Sequence, residues 1–164
     1  MKYNMTANTK YSSIFGRTSV AKVGSIGTIT DGTYNKQWVI YSISGNTYQL
    51  FPMKNLIDHV MNSNGSNVGG YTKSDMYKFV HNTILPNLKK SGLNITDCDL
   101  VSLSVYNDIV SKTGKTSKEI AGYEIFWLTD PCSFHSFCNV GSSGRISSDD
   151  ANWDYGVRPL ITIG

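Results

Sequence analysis

The chain reads as an α+β domain, and three observations predict that class. Short β-prone segments fill the first third, an amphipathic stretch with helical spacing occupies the middle, and strand-like segments close the chain. Fifteen Gly, with many Ser, Thr and Asn, favour strands joined by turns over a helix bundle. The apolar share of 40% is enough for one core, and 164 residues fit one domain over residues 21–164 preceded by an arm.

The arm is residues 1–20. It is polar and carries Tyr11, Ile14 and Phe15, which are expected to dock on a partner subunit and attach the domain. Residues 21–51 read as β. Val23, Ile26 and Ile29 are separated by Gly24 and Gly27, and Trp38-Val39-Ile40-Tyr41-Ser42-Ile43 is a strong strand with Trp38 as a structural residue. Ser44-Gly45-Asn46 turns the chain into Thr47-Tyr48-Gln49-Leu50-Phe51, which predicts a hairpin.

Pro52–Asn62 predicts a short helix, because Pro52 suits a first helical position and Leu56, Ile57, Val60 and Met61 share one face. Residues 62–67 are a loop by composition. Tyr71–Gly92 predicts the main helix. Thr72 and Asp75 form a capping-box-like start, Met76, Phe79, Val80, Ile84 and Leu88 recur at helical spacing, and Pro86 should kink or split it. Leu100–Val105 reads as a strand, or as a strand entering a helical turn, and Lys112–Lys118 as a polar loop. A strand around Trp127, a Gly/Ser/Asp-rich excursion and a last strand through Ile163 complete the order. Trp127 is expected in the core. Arg158 is expected to bond loop carbonyls or a carboxylate, and Pro159, which has no N–H for a ladder, to stand at a strand start or edge.

Composition narrows the function. The net charge of +3 is small, and Lys89-Lys90 is the only adjacent basic pair, so no basic stripe marks a nucleic-acid surface. No segment approaches the ~20 apolar residues of a membrane helix, and the N-terminus lacks the apolar core of a signal peptide, so membrane insertion and secretion by that route are not expected. Three Cys do not make a disulfide scaffold. A Cys132–Cys138 bridge is sterically open, but free thiols are the plainer expectation. Cys132-x-x-His135-x-x-Cys138 lacks a fourth zinc ligand, and no cofactor is expected. Asp149, Asp150 and Asp154 are the residues that calcium would use, a weaker expectation since Ca²⁺ takes six to eight oxygens. Cys132 and His135 are the one nucleophile–base pair close in sequence, with no third group to orient the base, and no phosphate-binding loop is present, so an enzyme is not expected.

The segment richest in recognition chemistry is residues 142–155, with Arg145, Asp149, Asp150, Asn152, Trp153, Asp154 and Tyr155. Planar aromatics stack on sugar C–H faces or peptide groups, while Asp, Asn and Arg give directional hydrogen bonds. Phe134, His135 and Phe137 flank this stretch and are expected to extend the same ligand-binding face.

Three runs carry a family resemblance: Phe126-Trp127-Leu128-Thr129-Asp130, then Phe137-Cys138-Asn139-Val140-Gly141-Ser142-Ser143-Gly144, then Gly156-Val157-Arg158-Pro159. Together they resemble the C-terminal half of C-type-lectin-like domains common in tailed-phage and prophage tail proteins and in gut bacterial surface proteins. Leu50-Phe51-Pro52, Leu56, Met61-Asn62, Gly69-Gly70-Tyr71 and Ser74-Asp75-Met76-Tyr77 are similar to the middle of tail adhesins. Thr129 stands where the family often has Arg, and the region between strands is short for the family.

The resemblance implies a C-type-lectin-like fold: a mixed or antiparallel sheet, one long and one short helix, and paired first and last strands. It implies a virion surface protein, an adhesin whose late loops bind a host surface glycan or protein. The alternative is a structural virion subunit, such as a capsid decoration or head-fibre protein. Its partners would be other virion proteins and further copies of itself. Related fibre proteins are often trimers, although no heptad run encodes that here.

Overall fold

The computed structural model describes residues 21–164. The expected attachment residues Tyr11, Ile14 and Phe15 lie outside them. The described chain is α+β, with two five-stranded sheets and a small helical complement. In chain order the first strands are β1 (Ile26–Ile29), β2 (Lys36–Ser44), β3 (Thr47–Pro52) and β4 (Asp58–Val60). A 3₁₀ turn over Tyr71–Lys73 leads into α1 (Asp75–Phe79), a π turn (Val80–Ile84) and α2 (Leu85–Lys89). Then follow β5 (Ile95–Asp99), α3 (Leu103–Thr113) and α4 (Ser117–Ala121). The chain closes through β6 (Phe126–Pro131), β7 (Ser136–Val140), β8 (Ile146–Asp150), β9 (Asp154–Gly156) and β10 (Leu160–Ile163).

Sheet one has the order β1-β2-β3-β10-β5 and sheet two the order β4-β9-β6-β7-β8. All pairings are antiparallel except β6 with β9. The β2–β3 hairpin forms as its alternating pattern predicts, with Ser44 opposite Thr47 across the turn. Strand β10 sits between β3 and β5, while β1 is an edge strand on β2. The first and last described strands are therefore not paired, contrary to the expectation. Strand β10, with Ile161 and Ile163 fully buried, is better placed between two neighbours than left at an edge.

Both faces of sheet one are covered. Trp38, Ile40, Tyr48 and Leu50 pack with Met76, Val80, Ile84 and Leu88 of the α1–α2 segment, with Trp127 and Phe137 from sheet two, and with Val157, just after β9. Val39 and Phe51 face the other way, onto Tyr106 and Ile109 of α3, Ile120 of α4, and Phe126, Leu128 and Val140. Phe51, Tyr106 and Phe126 form a ring cluster with centroids 5.6 to 6.4 Å apart.

The helical segment departs from a single long helix. Ser74, rather than Thr72, is the N-cap: its Oγ accepts from the Tyr77 N–H at 3.0 Å. Pro86 has no N–H to donate, and the turn before it widens so that the Leu85 N–H reaches the Val80 carbonyl. Two further corrections concern α3 and β4. Leu103–Thr113 is helical, started by Ser102 Oγ accepting from the Val105 N–H at 3.2 Å and ended by Gly114 at φ 70°. Residues Pro52–Asn62 do not form a helix. Pro52 ends β3, and Asp58–Val60 pair with β9, Asp58 opposite Gly156 and Val60 opposite Asp154.

Candidate functional site

Three loops meet at one end of sheet two. The β6–β7 connection is a tight turn in which the Ser136 N–H donates to the Ser133 carbonyl at 2.9 Å. It holds Phe134 and His135 at its tip, with His135 at φ 63°, a left-handed conformation uncommon for non-glycine residues that His tolerates better than most. A disulfide between Cys132 and Cys138, with Cα atoms 5.8 Å apart, ties the two strands beneath this turn. The expected free thiols are therefore a bridge here, and Cys98 alone stays free.

The β8–β9 connection is the second loop. The Trp153 N–H donates to the Asp150 carbonyl at 3.0 Å, closing a turn over Asp150-Ala151-Asn152-Trp153. Ala151 is the buried plug of that turn. Its N–H donates to His135 O at 2.8 Å and its carbonyl accepts from the Asn62 N–H at 2.9 Å. One backbone unit thus fastens all three loops. The third, residues 62–70, is also held by Asn67 Nδ2 donating to Ser136 O at 3.0 Å.

Trp153 is 54% exposed. Its ring lies 6.0 Å from that of Tyr155 at an interplanar angle of 26°, and Tyr155 packs 5.0 Å from the buried Trp127. Trp127 Nε1 donates to His59 O at 3.0 Å. Tyr155 OH and Asn139 Nδ2 both donate to Asp149 Oδ2, each at 2.9 Å. Burial first, and the Asp149 carboxylate second, push the Tyr155 phenol up to about 12, so it stays a neutral donor. The outer Trp therefore rests on a fixed stack, and little side-chain entropy remains to be lost when something settles on it.

The expected site residues divide. Phe134, which is 90% exposed, His135, Asp150, Asn152, Trp153 and Asp154 stand at this end and reach solvent. Asp149 and Tyr155 are half-buried supports. Phe137 is not part of the face: it is fully buried in the main core, because β7 is covered on both sides. Arg145 is exposed at the other end of β8, where Val140 pairs with Ile146, whereas Ser136 pairs with Asp150 at the site end. Four residue steps along the strand, about 13 Å, separate those ends. The loop over residues 62–70 is the part that sequence reasoning missed. It adds the exposed Asn64 and Val68, the latter 83% exposed, and it looked like an ordinary polar connection.

Beside Trp153, a cleft of about 260 Å³ is lined by Asn55, Asp58, Glu124, Ile125, Asp154 and Tyr155. Desolvation, then the Asp154 carboxylate, hold the Asp58 carboxyl above its ordinary value. Behind the cleft, Arg158 is fully buried. Its Nε donates to Asn55 Oδ1 at 2.7 Å, its two terminal nitrogens donate to the carbonyls of Ile120 and Ala121, and Glu124 Oε1 lies 3.6 Å away. The guanidinium stacks over Phe126 at 4.2 Å. Burial depresses its pKa to about 10, which leaves it charged at neutral pH. Arg158 thus fastens the end of α4 to sheet two. Pro159 follows it, buried, directly before β10. Trp38 is likewise core.

A second polar cluster joins the helical segment to β5. His81 Nε2 lies 2.7 Å from Asp99 Oδ1, and Tyr71 OH donates to the same oxygen at 2.8 Å. Tyr71 OH accepts from the Leu100 N–H, and Tyr77 stacks on His81 at 4.1 Å. Burial pushes the neighbouring Cys98 thiol far above its usual range, so it offers no thiolate. These contacts pack a helix on a sheet edge. Among the described residues no group of three or more His, Cys, Asp or Glu is placed to hold a metal ion, and no helix is long and apolar enough to cross a membrane. Compared with protein-family models, curated proteins and solved structures, the chain matches none.

Proposed function

We propose that this protein is a non-enzymatic recognition module of a phage virion, an adhesin or receptor-binding subunit that takes a host surface glycan or protein at the three-loop end of sheet two. The observation that carries the reading is Trp153, a half-exposed ring on a fixed Tyr155–Trp127 stack among Asn152, Asp150 and Asp154. A flat apolar ring flanked by acceptors suits a sugar, which presents C–H faces and hydroxyls together, and it suits a peptide equally. The virion setting rests on the resemblance of the Trp127, Val140 and Gly156-Val157-Arg158-Pro159 segments to C-type-lectin-like domains common in phage tail proteins, and of the segments from Leu50 to Tyr77 to tail adhesins.

The test is binding of the purified protein to a glycan array and to a panel of bacterial cells. Trp153→Ala and Asp154→Ala should each abolish binding; Asp154→Ala, fully at the surface, should change stability by less than about 1 kcal/mol, and Trp153→Ala, which gives up its stack on Tyr155, by about 2 kcal/mol. Undiminished binding by Trp153→Ala would remove this reading. A second reading has support from Phe134 and Val68, apolar side chains almost fully in solvent that a neighbouring subunit would cover. In that case the protein is a structural virion subunit, and Phe134→Ser would block incorporation into particles while adsorption survived Trp153→Ala.

A further inference from the structure

We infer that Asn64-Gly65 is a self-modifying site, at which the folded loop converts the Asn64 amide to aspartate and isoaspartate without an enzyme. The chain has one Asn-Gly step, and it falls in the loop over residues 62–70. Asn64 is exposed to the water that the reaction needs. Gly65 has no side chain to shield its nitrogen, and at φ 73° it holds a backbone conformation that glycine tolerates best.

The decisive contact is at the electrophile. The Ser66 N–H donates to Asn64 Oδ1 at 2.9 Å, an Asx turn that folds the side chain back along its own backbone. That hydrogen bond polarises the Asn64 side-chain carbonyl and is aimed at the oxygen that becomes negative when Cγ is attacked. Ser66 is itself fixed: its carbonyl accepts from Asn62 Nδ2 at 2.8 Å, and its Oγ accepts from the Val68 N–H at 3.1 Å. The opposing contact is a single one, the Gly65 N–H donating to Asn62 O at 3.1 Å, which must open before the nitrogen can react.

The step balances without an oxidant or a metal. The Gly65 backbone nitrogen loses its proton and bonds to Asn64 Cγ. The Cγ–Nδ2 bond breaks and ammonia leaves, carrying that proton. Water then opens the cyclic imide at either carbonyl, giving aspartate or isoaspartate. Either product adds a negative charge, and isoaspartate also lengthens the backbone by one carbon. The change falls against the ligand-facing end: a methyl group built on Gly65 would lie 3.4 Å from Asn152 Nδ2, next to Trp153. The modification stands whether or not that end binds a ligand.

The experiment is incubation of the intact folded protein at mildly alkaline pH, with a parallel sample in urea, followed by tryptic mapping. The peptide between Lys54 and Lys73 contains Asn55, Asn62, Asn64 and Asn67, so three asparagines serve as internal controls. Asn64 should convert in the folded protein within about tenfold of its rate in the denatured chain, while the other three keep their amides. Conversion in urea together with an intact Asn64 in the folded protein would overturn the inference. So would Asn62 or Asn67 reacting first in the folded state.

Discussion

Gly156→Ala tests how the closing segment is built. Gly156 does not need glycine for its φ, so the backbone accepts alanine. What it lacks is room: a Cβ there would sit 2.0 Å from Cγ and Nδ2 of Asn55 and 2.3 Å from Oδ1. The Asn55 side chain must move, and it holds two bonds, Nδ2 donating to Ile125 O at 2.9 Å and Oδ1 accepting from Arg158 Nε at 2.7 Å. A neutral hydrogen bond contributes about 1 kcal/mol and one to a buried charge about 2 kcal/mol, and Arg158 is fully buried. The expected loss is about 3 kcal/mol, read as a lower urea midpoint at unchanged slope. In an Asn55→Ala background the clashing atoms are gone, and the same substitution should cost less than about 1 kcal/mol. Equal costs in both backgrounds, or a neutral Gly156→Ala, would refute the reasoning.

Arg158→Lys keeps the charge but loses the fork that reaches Asn55, Ile120 and Ala121 together; it should cost about 3 kcal/mol in thermal or urea unfolding. Asp75 gives a pH test. Its carboxylate accepts from the Ser63 N–H and Oγ, which holds its pKa below the usual carboxylate value. A depressed folded pKa contributes stability at neutral pH that disappears as pH falls through that pKa, so the gap between wild type and Asp75→Asn should close in acid. A gap that persists there would place the effect elsewhere. Reducing the Cys132–Cys138 bridge releases a short loop and should lower stability by about 2 kcal/mol, with faster amide exchange over residues 133–136. Unchanged exchange would show that the turn holds without the bridge.

Much of the fold was legible where local pattern and tertiary need agree. The β2–β3 hairpin alternates and has a Ser-Gly-Asn turn, and Met76, Val80, Ile84 and Leu88 line one side of a segment that is helical almost throughout. The misses share a cause. Leu56, Ile57, Val60 and Met61 have helical spacing, yet Asp58–Val60 lie on β9, a partner about a hundred residues away that no local window sees. Leu100–Val105 alternates like a strand, but the Ser102 cap and the Asp130 carboxylate, which accepts from the Leu103 N–H at 2.7 Å, start a helix there. Phe137 looks like a candidate for the face because the sequence does not tell that its strand is covered on both sides.

Composition and periodicity by themselves determined the α+β class, the hydrophobic core and the aromatic, acidic character of the late loops, because those depend on which side chains are present and how they alternate. Tertiary structure decided which of them assemble. It brought residues 62–70 to the Phe134 and Trp153 turns through the backbone of Ala151, and it sent Arg145 to the far end of β8. Strand register and long-range pairing set that grouping, and both follow from how the two sheets bury each other rather than from any short stretch of chain.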